Sequence, residues 1–412
     1  MKIFFMICWR NIWRHKRRSI VIISSVAFGI FAMILSMSII NGGMSQTIDN
    51  TINMTLGHIS VQKKGFQDNM KLKFSFAPTE NIYSILDDNK TEIAAYSSRV
   101  KVQGMVQSSE SSKGVVIIGI DPEHEKSVSN IYDYTDKKDG SSFLDKTDDN
   151  SILISRQVAK KLDLLIGDKM VVMIQNENNE VVGVGMTVKG FFETPIDSIN
   201  KYVVYMGIKK LQEITGLGNN VSEIIIVLKN RDHVDKVKKD LIHSLNNNEF
   251  NVLSWMDISP DLLNAIKILD IMMYVSFAII FVTIIFSIAN TLIMAIMERF
   301  HEIGVMKSIG TKPSLIFSMI VFESINLGIV GLFFGIISGI CFVTILSFTG
   351  IDFSSLTDSM KVMGTGNIIY PHIRFMDIVI ATVIVLITTV AAAVYPARKA
   401  GRINPIEALT FI

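Results

Sequence analysis

Four long apolar runs constrain this chain more than anything else in it, because a helix needs about 20 apolar residues to cross roughly 30 Å of hydrocarbon. They are Ser19 to Ile40, Ile271 to Met297, about Ser314 to Phe348 with Glu323 as its one interruption, and Ile378 to Ala397. Each predicts a transmembrane helix. The first is too long for the roughly 7–15-residue core of a signal peptide, and Met37–Asn41 is not a small-residue cleavage site. Composition agrees: 19% of the 412 residues are charged, against about 25% in soluble domains.

Lysine and arginine in the short flanks set the orientation. Lys2, Arg10, Arg14, Lys16, Arg17 and Arg18 precede the first run; Arg299, Lys307 and Lys312 lie between the second and third; Arg398, Lys399 and Arg402 follow the fourth. These three flanks belong in the cytoplasm, so both termini are inside. The expected class is an α+β membrane protein, with four transmembrane helices and a large α+β extracytoplasmic domain between helices 1 and 2. In residue terms this gives a cytoplasmic interfacial helix at 1–18, built around Trp9 and Trp13, and spans at 19–40, 268–297, 314–348 and 377–397. The external domain occupies 41–267. A short cytoplasmic helix lies at 298–313, an external loop at 349–376 and a tail helix at 398–412.

Within 41–267, strands are predicted at His58–Val61, Ser98–Val106, Glu223–Leu228 and Asn251–Trp255, with helices at Thr79–Asp87 and Asp232–Leu245. Two βαβ-like units thus bracket an inserted β-rich subdomain at about 110–215. That middle holds Val115–Ile120, Ile152–Ile154, Met170–Ile174, Val181–Val188 and Tyr202–Met206, and a helix at Arg156–Leu162.

No catalytic constellation emerges. The seven histidines are scattered, no H-E-x-x-H or G-x-S-x-G pattern occurs, and no G-x-x-x-x-G-K-[ST] loop is present, so the chain is not expected to bind ATP by a P-loop itself. Cys8 and Cys341 are too few for a disulfide framework or a zinc site. With 40 basic and 38 acidic residues, the charge balance also argues against nucleic acid as a partner.

Two cytoplasmic segments look built for a partner. In Glu298–Thr311, a helix closed by Gly310 places Glu298, Glu302, Val305 and Ile309 at i, i+4, i+7 and i+11. Its candidate docking residues are Glu298, Arg299, Glu302, Ile303, Gly304, Val305, Lys307 and Gly310. In the tail, Pro396 is expected to disrupt the end of span four. Asn404, Pro405 and Glu407 then read as the N-cap, N1 and N3 positions of a new helix, and Arg398, Asn404, Pro405 and Glu407 are its docking candidates. Gly331, Gly335 and Gly339 form a small-residue face for helix packing in span three. Glu323 and Asn326 in the same span must face protein or water, with gating and structural roles both open.

The basic start Arg10–Arg18, the E-R-x-x-E-I-G-V-x-K-x-x-G segment from Glu298 and the Y-P-A-R-K-A-x-R-x-x-P-x-E-A-L tail from Tyr395 resemble the FtsX-like permease family of ABC transporters. Gly57–Val61, Ile152–Leu162 and Ile166–Asp168 look like that family's periplasmic domain. Ile40–Asn41–Gly42 and Leu56–Gly57–His58 look most like its lipoprotein-releasing (Lol) permeases. The resemblance implies a multi-pass, non-enzymatic subunit of a bacterial inner membrane that binds no cofactor directly. Two cytoplasmic ABC ATPases would hold ATP and Mg. The other implied partners are a second permease, identical or related, acylated lipoprotein cargo, a periplasmic lipoprotein carrier and membrane lipids.

It further implies a lipoprotein cavity with apolar walls between spans one and two, at Ile40, Asn41, Met44, Met273 and Phe277, and carrier contact near Pro195 and Ile196. The alternatives are a MacB-like mechanotransmitting exporter permease and a signalling permease that regulates cell-wall hydrolases.

Overall fold

The structure, a computed structural model, describes residues 16–135, 140–146, 150–245 and 249–404. It separates into two compact units, a helix bundle and an α+β domain comprising Ser45–Ala265 together with Phe353–Asn367.

The four apolar runs lie in the helices Lys16–Thr51, Pro260–Glu298, Pro313–Thr349 and Phe375–Gly401, here called the first to fourth spans, which form the bundle except for the ends Ser45–Thr51 and Pro260–Ala265. The first two, at 36 and 39 residues, are about 54 and 58 Å long at 1.5 Å per residue, well beyond the hydrocarbon thickness. Their extra turns are the polar stretches Ser45–Thr51 and Pro260–Lys267. Ile22, Val26, Ile30, Ile34, Ile288, Leu327, Val385 and Ala393 make the bundle core. Phe286, Phe333 and Ile387 are exposed, as lipid-facing side chains are.

Span four does not end at Pro396. The helix runs through it to Gly401, which corrects the expected break. A proline lacks the N–H that would bond four residues back and its ring crowds the carbonyl there, yet this close to the helix end the helix continues through it. The residues around it, Ala392, Ala393, Ala397 and Ala400, are small and buried.

In the α+β domain the strands are β1 (Ile59–Lys63), β2 (Ile93–Gln107), β3 (Ser112–Ile120), β4 (Ser151–Ser155), β5 (Lys169–Gln175), β6 (Val181–Phe192), β7 (Val203–Gly207), β8 (Glu223–Leu228) and β9 (Phe250–Ser254). The first half of β2 pairs with β8, β8 with β1, and β1 with β9, all antiparallel. Helices Glu80–Asp88 and Val234–Leu245 cover this four-stranded frame through Ile82, Leu86, Val234, Val237 and Leu241.

The second half of β2 enters a ring in the order β2-β3-β7-β4-β6-β5, and β5 pairs back onto β2 to close a six-stranded barrel. Closure removes the exposed edges that an open sheet would carry. Its interior is filled by Val102, Val106, Ile117, Ile154, Val172, Ile174 and Val188; truncating one such isoleucine to alanine costs about 2–5 kcal/mol. Gly104 has no room for a side chain, since a Cβ would lie 2.6 Å from Ile174 and 2.7 Å from Ile117. The barrel is an insertion between β2 and β8 of the frame.

Candidate functional site

Chemistry concentrates at the end of the bundle where the first span begins. Glu323 is the only carboxylate of the third span's apolar run, and burying its charge is expensive without a partner. Arg18 donates from Nη2 to Glu323 Oε1 at 2.6 Å, and Arg299 Nη1 lies 3.5 Å from Oε2. The three side chains are only 8%, 10% and 6% exposed, in the order Arg18, Arg299, Glu323. Arg18 Nε and Nη1 are buried without a hydrogen-bond partner. A recess of about 170 Å³ lies beside the cluster, lined among others by Arg18, Leu292, Glu302, Met306, Met319 and Glu323.

Arg299 also interrupts the chain's helical path. The second span stops at Glu298 and a separate helix runs Phe300–Ser308, so the expected continuous face from Glu298 to Ile309 is broken. Gly310, at φ +94°, ends the helix, with Gly310 N–H donating to Lys307 O and Thr311 N–H to Met306 O at 3.1 and 3.0 Å, the paired bonds of a Schellman motif. Ile303 and Gly304 turn inward, Ile303 packing with Ile296, Ile316, Ile320, Ala397 and Ala400. Lys307 Nζ donates to the carbonyls of Gly401 and Ile403 at 3.1 and 2.6 Å, fixing the short helix to the end of span four. Glu298, Glu302, Val305, Ile309 and Gly310 remain exposed.

Arg398 and Asn404 are also exposed. Pro405, Glu407 and the expected interfacial helix up to residue 15 lie outside the described residues. Gly331, Gly335 and Gly339 face the first span, where Cβ atoms would lie 2.7 Å from Val26, 2.7 Å from Ala27 O and 3.1 Å from Ile34.

The residues expected to line a lipoprotein cavity lie on the first span (Ile40, Asn41, Met44) and the second (Met273, Phe277). Asn41 is buried and donates to Asp377 Oδ2 at 2.7 Å. Phe277 sits in the bundle core, Met273 packs against it, Met44 is buried and Ile40 half-buried. The facing walls of spans one and two are not purely apolar, because Ser25 and Ser287 hydroxyls meet at 2.8 Å. Pro195 and Ile196 are half-buried in a turn tied by Asn200, whose Nδ2 donates to Thr194 O at 2.7 Å.

A second buried network sits where β2 passes from frame to barrel. Arg99 donates from Nε and Nη2 to Glu125 at 3.1 and 2.5 Å, and from Nη1 to Thr55 O at 2.5 Å. Thr55 belongs to the π-helical turn Ile52–Leu56. Burial pulls the guanidinium's proton affinity down, but the charge and hydrogen bonds of Glu125 outweigh it and hold it above the ordinary value. Lys101 pairs with buried Glu223 at 2.5 Å, while Ser60 and Gln62 also donate to that carboxylate. Among the described residues, no group of three or more His, Cys, Asp or Glu side chains is placed to hold a metal ion.

Sequence reasoning singled out Glu323 but read Arg18 as a topology signal, and Arg299 as a topology signal and docking candidate, rather than as its partners. The signal was available: a carboxylate in an apolar run demands a cation, and these two stand at helix ends that converge on it.

The sequence matches the MacB-like periplasmic core domain over residues 19–243 and the FtsX-like permease C-terminal domain over 274–405. The lipoprotein-releasing system transmembrane protein LolC of Xylella fastidiosa is 23% identical over 417 residues, covering 97% of this chain and 96% of that protein. The corresponding LolE of Haemophilus influenzae is 21% identical over 427 residues, 98% of this chain and 99% of that one. The ABC transporter permease YtrF of Bacillus subtilis is 36% identical over 124 residues, 30% of this chain and 28% of that one.

Proposed function

The chain belongs to the FtsX-like permeases of ABC transporters and carries a MacB-like periplasmic core domain, a non-catalytic membrane component beside a separate ATPase, and from this we propose that it extracts acylated lipoproteins from a bacterial inner membrane and releases them to a periplasmic carrier. The observation that carries the reading is the end-to-end alignment with lipoprotein-releasing permeases, which covers 97% of this chain and 96% of one such relative.

In this reading both termini are cytoplasmic, and two ATPase subunits dock on the exposed positions Glu298, Glu302, Val305 and Ile309 and on the tail around Arg398 and Asn404. ATP binding displaces the helix Phe300–Ser308. That helix cannot move alone, since Ile303 is packed against the third and fourth spans and Lys307 holds the end of the fourth. Arg299 and Glu323 pass the displacement to Arg18 and the first span. Helical from Lys16 to Thr51, the first span is a stiff rod, and the π turn after it is held to β2 by Arg99. The chain pairs with a second permease, identical or related, and cargo acyl chains are displaced between the two.

The test is the ATPase rate of the permease co-purified with its ATPase in nanodiscs, with a triacylated lipoprotein and its unacylated form added in parallel. Stimulation by the acylated form alone is expected. Equal or absent responses with the ATPase still bound would replace lipoprotein release with export or signalling.

A further inference from the structure

On the barrel, the start of β3 and the helices Arg156–Leu162 and Asp197–Tyr202 surround an open depression of about 660 Å³, lined by Ser112, Lys113, Gly114, Gln157, Lys161, Lys201 and Tyr202. Three ammonium groups share it with three neutral polar side chains, and no carboxylate lines it. Asp197, just outside the lining, pairs with Lys201 at 2.5 Å and accepts from Gln157 Nε2 at 3.1 Å. One carboxylate against three lysines leaves two uncompensated positive charges, in a chain whose 40 basic and 38 acidic residues otherwise balance.

Crowding of like charge is unfavourable, and it is felt at Lys113. Burial, then the charges of Lys161 and Lys201, push its ammonium below the ordinary lysine range, with Asp197 offsetting them in part. Its Nζ lies 5.7 Å from the Tyr202 ring centroid, within cation–π range. An arrangement that repels itself when empty is relieved by an anion.

We infer that this depression binds a phosphate-bearing anion with at least two negative charges. Lysines serve phosphate as point charges, two negative charges match the local excess, and the Ser112 hydroxyl and Gln157 amide add neutral donors for phosphate oxygens. A single carboxylate would leave one charge unmatched. The phosphate comes either from a soluble ester or from a lipid headgroup. The site does not depend on the cargo proposed above.

The experiment uses the full chain in phosphatidylcholine nanodiscs and follows radiolabelled pyrophosphate by equilibrium dialysis. Saturable binding is expected, weakened at least tenfold by Lys113→Gln combined with Lys161→Gln and weakened by added salt. Pyrophosphate should also slow acylation of the Lys113 amine, read by mass spectrometry. A parallel arm measures capture of the nanodiscs by phosphatidic acid vesicles. Lysine-dependent capture assigns the lipid source, and lysine dependence with pyrophosphate alone assigns a soluble ester. No saturable binding of either probe, or a double variant that binds as tightly as the unmodified protein, overturns the inference. An unchanged thermal transition in the double variant separates lost binding from lost folding.

Discussion

Arg18 and Glu323 stand 305 positions apart in the chain and meet at 2.6 Å, joining the first span to the third. With Arg299 on the other carboxylate oxygen, Glu323 becomes the common anion of two helices and of the link to the short helix. Glu323→Ala takes the carboxylate away from two buried guanidiniums, and breaking a buried ion pair from one side costs about 3–5 kcal/mol. A large fall in thermal midpoint is expected in nanodiscs, with a smaller one for Glu323→Gln, which keeps the shape and one accepting oxygen. A Glu323→Ala protein that melts like the parent would show that the cluster contributes nothing to the bundle.

Gly335 approaches backbone rather than a flexible side chain: an added Cβ would lie 2.7 Å from Ala27 O and 3.0 Å from Ala27 Cα. Gly335→Ala must therefore separate two spans, at the roughly 1–3 kcal/mol typical of overpacking. Gly185, with nothing within 4 Å of its added Cβ, is the control. Gly185→Ala should leave the midpoint unmoved, and equal loss at both positions would rule out helix contact as the cause.

Ile309 is 79% exposed and Val305 41%, whereas Ile303 is 3% exposed. Val305→Asp with Ile309→Asp should leave the permease folded, as surface substitutions change stability by only about 0.5 kcal/mol, yet cut ATPase co-purification at least tenfold. Ile303→Asp should lose the fold instead. Retention of the ATPase by the folded double variant would place the docking surface elsewhere.

The Arg99–Glu125 pair is 1% and 0% exposed. Glu125→Ala should destabilise the extracytoplasmic domain by about 3–5 kcal/mol, while Arg99→Met with Glu125→Leu should recover most of that loss, because two apolar groups leave no charge unpaired. Chemical denaturation of the single and double variants gives the comparison. A double variant no better than the single would mean that the Arg99 bond to Thr55 O, rather than the charge pair, holds this junction.

His58 accepts a hydrogen bond at Nδ1 from the Leu228 N–H at 3.2 Å, which only a neutral imidazole does. Burial lowers its proton affinity, Asp49 raises it and Arg231 lowers it, with a net shift downward. The unfolded chain, with an ordinary value near 6.5, therefore binds the proton more readily than the fold. His58 contributes its full stability above about pH 6.5, and that contribution falls as the pH drops toward the folded-state value. The domain's thermal midpoint should decline on acidification from neutrality, and His58→Asn should flatten the decline. An unchanged slope in that variant would assign the acid sensitivity to other groups.

The apolar runs made the four spans legible, since nothing else explains so many uncharged residues in sequence. Helix Arg156–Leu162 and strand Glu223–Leu228 could also be read to their ends. Ser155 caps the one, with its hydroxyl accepting from Val158 N–H at 3.0 Å, and an unbroken β-branched run makes the other. β2 was read as Ser98–Val106 but extends from Ile93 to Gln107, because Ala94–Ser97 lacks the alternation that marks a half-buried strand. Barrel closure was not legible, for pairings such as Gln107 with Val171 depend on partners far along the chain. That the second span's helix already begins at Pro260 was hidden by the polar residues Asp261, Asn264 and Lys267. At the bundle end, Val305 is exposed on the face that its spacing from Glu298 and Glu302 marks, whereas the burial of Ile303 depends on Ile316, Ile320, Ala397 and Ala400 far along the chain, which local periodicity does not reveal.

The barrel runs from the second half of β2 to β7 and is complete before β8 begins, so both chain ends of the extracytoplasmic domain belong to the frame. The frame must keep its fit to the helices that lead into it, whereas the inserted barrel answers chiefly to whatever it meets in the periplasm. Descendants of such a gene are free to rewrite the guest while the host stays fixed. Changes confined to roughly the stretch from Val100 to Gly207 thus leave the pairing of β8, β1 and β9 in the frame untouched.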